Sequence, residues 1–145
     1  IEIMNLMLEL QEKKQLTYLY ITHNLASARY MANRMVVMYA GNCVEQGNID
    51  EIVRQPLHPY TILLLSSTPE PFREKKLVIH ASEDLPDLTG NQPMCPFVSR
   101  CPKAQERCGR EKPGCYRIGE RQVSCFLYEN INSEAELVLT SEIYA

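Results

Sequence analysis

Apolar residues at the start of the chain recur with the period of a helix. Four of them, spaced three and four positions apart, are Ile3, Leu6, Met7 and Leu10. This spacing forms one face of an amphipathic helix and predicts a helix over residues 1–14. Because a natural N-terminus rarely begins within a helix that has no cap, we expect the chain to be a fragment of a longer protein.

The next apolar run is continuous. Residues 16–22 are β-branched and aromatic, which is typical of a strand buried on both faces in a parallel sheet. A helix followed by such a strand indicates an α/β fold. His23 follows the strand, where α/β folds place ligand-binding side chains, and Asn24 or Thr22 is expected to cap a second helix through Met31. Spacing alone also allows His23 to be a helix cap or a core imidazole.

The middle of the chain predicts a hairpin and two short helices. Residues 34–40 and 43–47 read as strands joined at Gly41-Asn42, with Cys43 as a small packing residue. A capped helix is expected over residues 48–53, and another begins at Tyr60. His58 and His80 are expected to be exposed or to lie in turns. The proline-containing residues 69–91 predict a linker with one short strand at 77–80.

Composition limits the classes of function. The 145 residues are 45% hydrophobic and 23% charged, with a net charge of −3. These values are ordinary for a globular protein and argue against a general nucleic-acid binder. No apolar run approaches the ~20 residues that a membrane-spanning helix needs.

Cysteines give the chain its strongest chemical signal, since five of the six fall between residues 95 and 125. That segment has few large aliphatic residues, so we expect a cross-link or an ion to order it. A disulfide framework would need an oxidising compartment, for which the sequence gives no evidence, so a metal or cluster is favoured.

The spacing of these cysteines leaves the metal open. They follow the pattern Cys95-x5-Cys101-x6-Cys108-x16-Cys125. Neither the tight C-x₂₋₄-C pair of many zinc sites nor the C-x₂-C-x₂-C run of ferredoxins is present. Cys115 continues the six-residue spacing after Cys108 and therefore competes with Cys125 as a fourth ligand.

Taken in order, these motifs resemble the C-terminal half of an ATP-binding subunit of an ABC transporter. Tyr-Ile-Thr-His-Asn-Leu at 20–25 resembles the switch segment of that family, and residues 34–41 with 44–47 resemble the hairpin that follows it. His-Pro-Tyr-Thr at 58–61 and the cysteine segment 95–125 resemble the dipeptide/oligopeptide importers. Their nucleotide-binding domain carries a C-terminal extension with four cysteines.

The resemblance implies a role for His23 but an incomplete ATPase. His23 matches the switch histidine, which contacts the γ-phosphate of ATP, whereas Asn24 stands where the family usually has Asp. The chain contains no G-x-x-x-x-G-K-[ST] loop, and the signature helix and Walker B acids are missing as well. Because phosphoryl transfer depends on those parts, we expect ATP and Mg²⁺ to bind only in the full-length protein and this chain to be inactive by itself.

The resemblance also implies a cofactor, partners and a location. By analogy with the family, Cys95, Cys101, Cys108 and Cys125 are the expected ligands of a [4Fe–4S] cluster, with Zn²⁺ as the alternative. Permease subunits and a second ATP-binding subunit are the expected partners, at the cytoplasmic face of the membrane and without nucleic acid. The alternative function is a stand-alone zinc- or iron–sulfur-binding structural or redox module.

The predicted fold class is α/β. We expect an incomplete P-loop NTPase-type (ABC ATPase) domain over residues 1–68 and, after the linker 69–91, an irregular cysteine-rich module over 92–130. Residues 131–145 are expected to be a tail. Uncovered apolar faces in the first region would favour self-association of the chain.

Overall fold

The computed structural model describes residues 2–67 and 93–131. The predicted linker 69–91, with its strand at 77–80 and His80, lies outside the described residues, as does nearly all of the predicted tail. Two compact units divide between Asn33 and Arg34. The predicted division near residues 68 and 92 stays a prediction.

The elements are helices and one antiparallel sheet, so the coarse α/β prediction holds. The helices are α1 (Glu2–Lys14), α2 (Leu25–Met31), α3 (Ile49–Arg54) and α4 (Pro59–Ser66). The strands are β1 (Arg34–Tyr39), β2 (Asn42–Asn48), β3 (Tyr116–Ile118) and β4 (Arg121–Val123), in the sheet order β1-β2-β4-β3. Three 3-10 turns lie at Val98–Arg100, Glu106–Gly109 and Phe126–Tyr128.

The first unit holds the two predicted helices. Asn24 caps α2, as expected, by accepting a hydrogen bond from the Ser27 N–H at 3.1 Å, and Thr22 accepts one from the Asn24 N–H. The Tyr30 hydroxyl bonds Asn5 on α1. No side chain of α1 is buried.

The buried strand predicted over residues 16–22 is wrong. The segment has no strand structure, and Leu19 and Ile21 are 91% and 88% exposed. A strand requires hydrogen-bonded neighbours, and none pairs with this segment in the described part of the chain. These residues do have the β-branched and aromatic composition of a strand, but composition alone does not supply a neighbouring strand to bond with.

The predicted hairpin is confirmed, with its turn one residue earlier than expected. Tyr39 pairs with Asn42 around the two-residue turn Ala40-Gly41, whose φ angles are +48° and +74°. Positive φ angles at both central residues are typical of a type I′ turn, whose twist matches that of the paired strands. Cys43 is exposed, so its predicted packing role is wrong: a register irregularity opposite Val37 and Met38 changes the alternation of the strand.

The second hairpin completes the sheet. β3 and β4 pair through Tyr116 with Val123 and join at a turn in which Gly119 has a φ of +59°. β4 adds to β2 through the pair Gln46 and Gln122. One sheet therefore contains strands from both ends of the second unit.

Two apolar clusters lie in the second unit. The first contains Val37, Tyr39, Val44, Ile52, Cys95 and Phe97. The second contains Leu57, Ile118, Val123 and Tyr128. The Tyr128 hydroxyl donates to the Leu57 carbonyl at 2.7 Å and thereby joins the cysteine-rich segment to the approach to α4.

Candidate metal site

Three short turns determine where the predicted cysteine ligands lie. Cys95 and Cys101 flank the turn Val98–Arg100, Cys108 lies within Glu106–Gly109, and Cys125 directly precedes Phe126–Tyr128. The Cys95 N–H donates to the Cys108 carbonyl at 2.9 Å, which ties the first two turns together. The fold therefore gathers thiols from separate parts of the chain.

All four predicted ligands line one cavity of about 10 Å³. The other lining residues include His58, Phe97, Lys103, Gln105 and Phe126. A space of this size holds about one water molecule. Cys115 does not line the cavity: it is exposed, and its thiol lies 3.5 Å from the Gln122 side-chain oxygen.

Burial makes three of the four cavity thiols hard to ionise. It is the largest cause that raises the pKa of Cys101 to about 11 and that of Cys125 to about 12, and it also raises the pKa of Cys95. The neighbouring cavity thiols contribute to these shifts, since two neighbouring thiolates would repel each other. At neutral pH the thiols of Cys95, Cys101 and Cys125 are therefore neutral when no metal is bound.

The donor set suits a thiophilic metal, although the thiols are not arranged at coordinating distances. Among residues 2–67 and 93–131, no group of three or more His, Cys, Asp or Glu side chains has the geometry of a metal site. Four thiols on one small cavity are the donors that Zn²⁺ and iron–sulfur clusters prefer. Binding either group would require the thiols to lose protons and to rearrange around it.

His58 also lines this cavity, and the sequence does not predict this position. The sequence predicts that His58 is exposed or lies in a turn. Exposure is wrong, because the residue is only 2% exposed, but its backbone does lie in a bend before α4. Its Nδ1 accepts a hydrogen bond from the Tyr60 N–H at 3.0 Å and caps α4, whose first residue is Pro59. Burial lowers the pKa of His58 to about 3, so the ring is neutral with its proton on Nε2.

A buried carboxylate holds the segment before α4 in place. Glu45 of β2 is fully buried and accepts hydrogen bonds from the N–H groups of Leu57 and His58, both at 3.0 Å. Burial raises the pKa of this carboxyl, while these two donors and the charge of Arg121 oppose that rise. Glu45 thus fixes the backbone that carries His58 to the cavity.

Arg121 of β4 is the second buried charge. It is 3% exposed and donates to the Gln55 carbonyl at 2.6 Å, with Glu51 3.7 Å away. It packs against Gly47, where a Cβ atom would come within 2.6 Å of the Arg121 Cγ. The sequence signal for this contact was a glycine inside a strand, which often marks close approach of another group.

His23 belongs to the first unit. It is exposed and precedes the cap of α2 by one residue. Its predicted contact with the γ-phosphate of ATP stays a prediction. No helix among the described residues is both long enough and apolar enough to span a bilayer.

Residues 44–108 match the model of a known family, described as the C-terminal region of oligopeptide/dipeptide transporters. The match includes Glu45, His58 and the first three cavity cysteines. Over most of its length the chain is also similar to curated proteins. By sequence, the chain is similar to proteins named as peptide-transport ATP-binding proteins.

Three of these relatives illustrate the extent of the similarity. The di/tripeptide transport ATP-binding protein DppF of Pseudomonas aeruginosa is 39% identical over 128 residues, which cover 86% of this chain and 39% of the relative. The dipeptide transport ATP-binding protein DppD of Haemophilus influenzae is 42% identical over 125 residues, covering 86% and 38%. The oligopeptide transport ATP-binding protein OppF of Escherichia coli is 36% identical over 127 residues, covering 86% and 38%.

The chain therefore spans about two fifths of the length of these peptide-transport ATP-binding proteins. The similarity supports the resemblance that the switch-like segment, the hairpin and the cysteines suggested. Activity, substrates and partners of the relatives belong to longer chains and are not transferred by the match alone.

Proposed function

We propose that the chain is the C-terminal part of an ATP-hydrolysing subunit that energises ABC-type peptide import. The similarity to peptide-transport ATP-binding proteins over 86% of the chain supports this proposal. In the longer protein, His23 contacts the γ-phosphate of ATP, while Mg²⁺ and the other phosphates are bound by parts that this sequence does not contain. Permease subunits and a second ATP-binding subunit hold the protein at the cytoplasmic face of the membrane.

The second part of the proposal is that Cys95, Cys101, Cys108 and Cys125 bind a [4Fe–4S] cluster. The observation that carries it is that these four thiols line one cavity, whereas Cys115 does not. Four cysteine–iron bonds would cross-link the three turns that carry these thiols. The role is structural: the cross-links stabilise the extension that follows the nucleotide-binding domain.

A zinc site is the second candidate, and the size of the cavity favours it. A volume of about 10 Å³ is closer to the space of one ion than to that of a four-iron cluster. Tetrahedral Zn²⁺ with four cysteine ligands would staple the same turns. Both metals therefore lead to the same structural role through the same four residues.

The experiment that separates these candidates is metal analysis of protein purified without oxygen. Iron and acid-labile sulfide near four per chain, with a visible absorption band, are expected for the cluster. One zinc per chain without iron would replace the cluster with the zinc site. Absence of iron, sulfide and zinc would overturn the metal proposal. The cysteines would then be interpreted as a disulfide framework.

Matched cysteine variants test the ligand set. Cys125→Ser is expected to lose the bound metal, because it removes a cavity thiol, whereas Cys115→Ser is expected to retain it. The reverse result would show that Cys115 is the fourth ligand.

The ATPase part is tested separately, in the longer protein assembled with its permeases. There, His23→Ala is expected to abolish phosphate release while nucleotide still binds. Unchanged hydrolysis would contradict the role of His23.

A further inference from the structure

Cys108 and Cys125 come from different turns, and the residues next to them meet. Arg107 precedes Cys108, and Phe126 follows Cys125. The guanidinium carbon of Arg107 lies 3.8 Å from the centre of the Phe126 ring. This is the stacked arrangement in which a planar cation is attracted to an aromatic face.

Arg107 is held on that ring by a carboxylate. Its two terminal nitrogens donate to the two oxygens of Glu129, at 2.6 Å and 2.8 Å. The Tyr116 hydroxyl donates to the same carboxylate at 3.2 Å. The hydrogen bonds from Arg107 lower the pKa of Glu129, which keeps it charged. Two parallel bonds fix the orientation of a guanidinium as well as its position.

A second Arg–Glu pair in the same turn shows what is special about this one. Arg110 bonds Glu106 four residues earlier, and both side chains are more than 70% exposed. That pair lies within one turn and joins no separate segments. Exposed pairs of this kind contribute little to stability. The Arg107 contacts instead span 22 residues and connect the turn of Cys108 to the turn after Cys125.

We propose that Arg107, stacked on Phe126 and bonded to Glu129, is the positioning residue that holds Cys108 close to Cys125 at the four-thiol cavity. These three residues form the Arg107 clamp. The consequence for metal binding rests on the proposed function, whereas the placement of the two thiols does not. The clamp acts through the backbone on which each thiol is carried.

Thiol cross-linking tests the placement without any metal. Versions of the whole 145-residue chain would keep only Cys108 and Cys125, with the other cysteines replaced by serine. The probe is dibromobimane, which becomes strongly fluorescent only after both of its arms have reacted. Arg107→Gln is expected to slow bridging of this pair several-fold, and Arg107→Lys less, since lysine keeps the charge but loses the bidentate bonds.

Two controls separate positioning from general damage to the fold. A chain that keeps only Cys95 and Cys101, which flank one local turn, is expected to be bridged at the same rate with or without Arg107→Gln. Arg110→Gln is expected to change neither pair. An equal change in the bridging rate of both pairs with Arg107→Gln would indicate a general change in the fold and overturn the clamp, as would unchanged bridging of Cys108 with Cys125.

Metal reconstitution then connects the clamp to the proposed site. With all cysteines present, Arg107→Gln is expected to weaken metal binding by roughly tenfold, as loss of an outer supporting contact does, while Arg110→Gln binds as the unchanged chain does. Wild-type affinity and spectrum in Arg107→Gln would overturn the clamp as a support of the site. If the unchanged chain binds no metal, the metal-binding part of the proposed function fails, and the cross-linking result still decides the clamp.

Discussion

The two units of this protein differ in which side chains they bury. Residues 2–33 contain an apolar helix face and a segment of β-branched and aromatic residues, yet Leu19 and Ile21 in that segment are almost wholly exposed. In the second unit even the ionisable side chains of Glu45 and Arg121 are buried, each with hydrogen-bond partners. The difference teaches that hydrophobicity permits burial, but a partner surface decides it.

The largest expected effect on stability comes from removing a side-chain oxygen that accepts hydrogen bonds from backbone N–H groups. Each unit contains such an acceptor. Glu45→Ala removes the acceptor of two buried N–H groups, which should lower the free energy of unfolding by about 3 kcal/mol. Asn24→Ala removes an exposed helix cap and should cost only about 1 kcal/mol. Urea denaturation followed by circular dichroism measures both. Glu45→Gln, which keeps one acceptor oxygen, should fall between them, and equal losses for the two alanine variants would remove the contrast in burial.

A smaller effect tests how tightly the sheet packs. Gly47→Ala places a methyl group 2.6 Å from the side chain of Arg121, which is held by its bond to the Gln55 carbonyl. Such overpacking should cost about 2 kcal/mol in the free energy of unfolding. The matched control is Gly109→Ala, whose added methyl would meet nothing within 4 Å and should be nearly neutral. A tolerated Gly47→Ala would mean that Arg121 moves freely.

The smallest effect on stability is expected in the first unit. Replacing Leu19 and Ile21 together by serine should change the free energy of unfolding by less than about 0.5 kcal/mol, because both side chains are already in solvent. The same change should weaken self-association, measured by sedimentation velocity, since it removes exposed apolar surface. Lys14→Ser serves as a surface control. Association that persists unchanged in the double variant would place the contact elsewhere.

Features set by neighbouring residues could be predicted from the sequence. Asn24 was expected as a helix cap, and the first hairpin was expected because two strand-like runs flank a glycine-containing turn. The four cysteines of the cavity were selected through a family resemblance, and their place on one cavity agrees with that choice without testing it as a ligand set. The cap and the hairpin can be predicted because each depends on a few adjacent residues.

Features that depend on distant residues were missed. His58 is buried because Glu45 holds its backbone and Phe97 packs near its ring, 5.9 Å away between centres. Neither contact leaves a pattern near His58 in the sequence. The second hairpin has only a weak signal, Gly119 between the short segments 116–118 and 121–123, because three-residue strands are too short for alternation to identify. The opposite error occurred at residues 16–22. Their composition strongly predicts a strand, but no described strand pairs with them.

The order of strands in the sheet has a consequence for synthesis on the ribosome. Gln46 of β2 meets Gln122 of β4 across 76 positions of sequence. At ribosomal rates of about 5–20 residues per second, roughly 4 to 15 s separate the two residues leaving the tunnel. During that interval the first hairpin has a bare edge on β2, open to pairing with any extended chain nearby. Contacts of such high sequence separation also slow folding, so this sheet would close late, after the rest of the second unit has emerged.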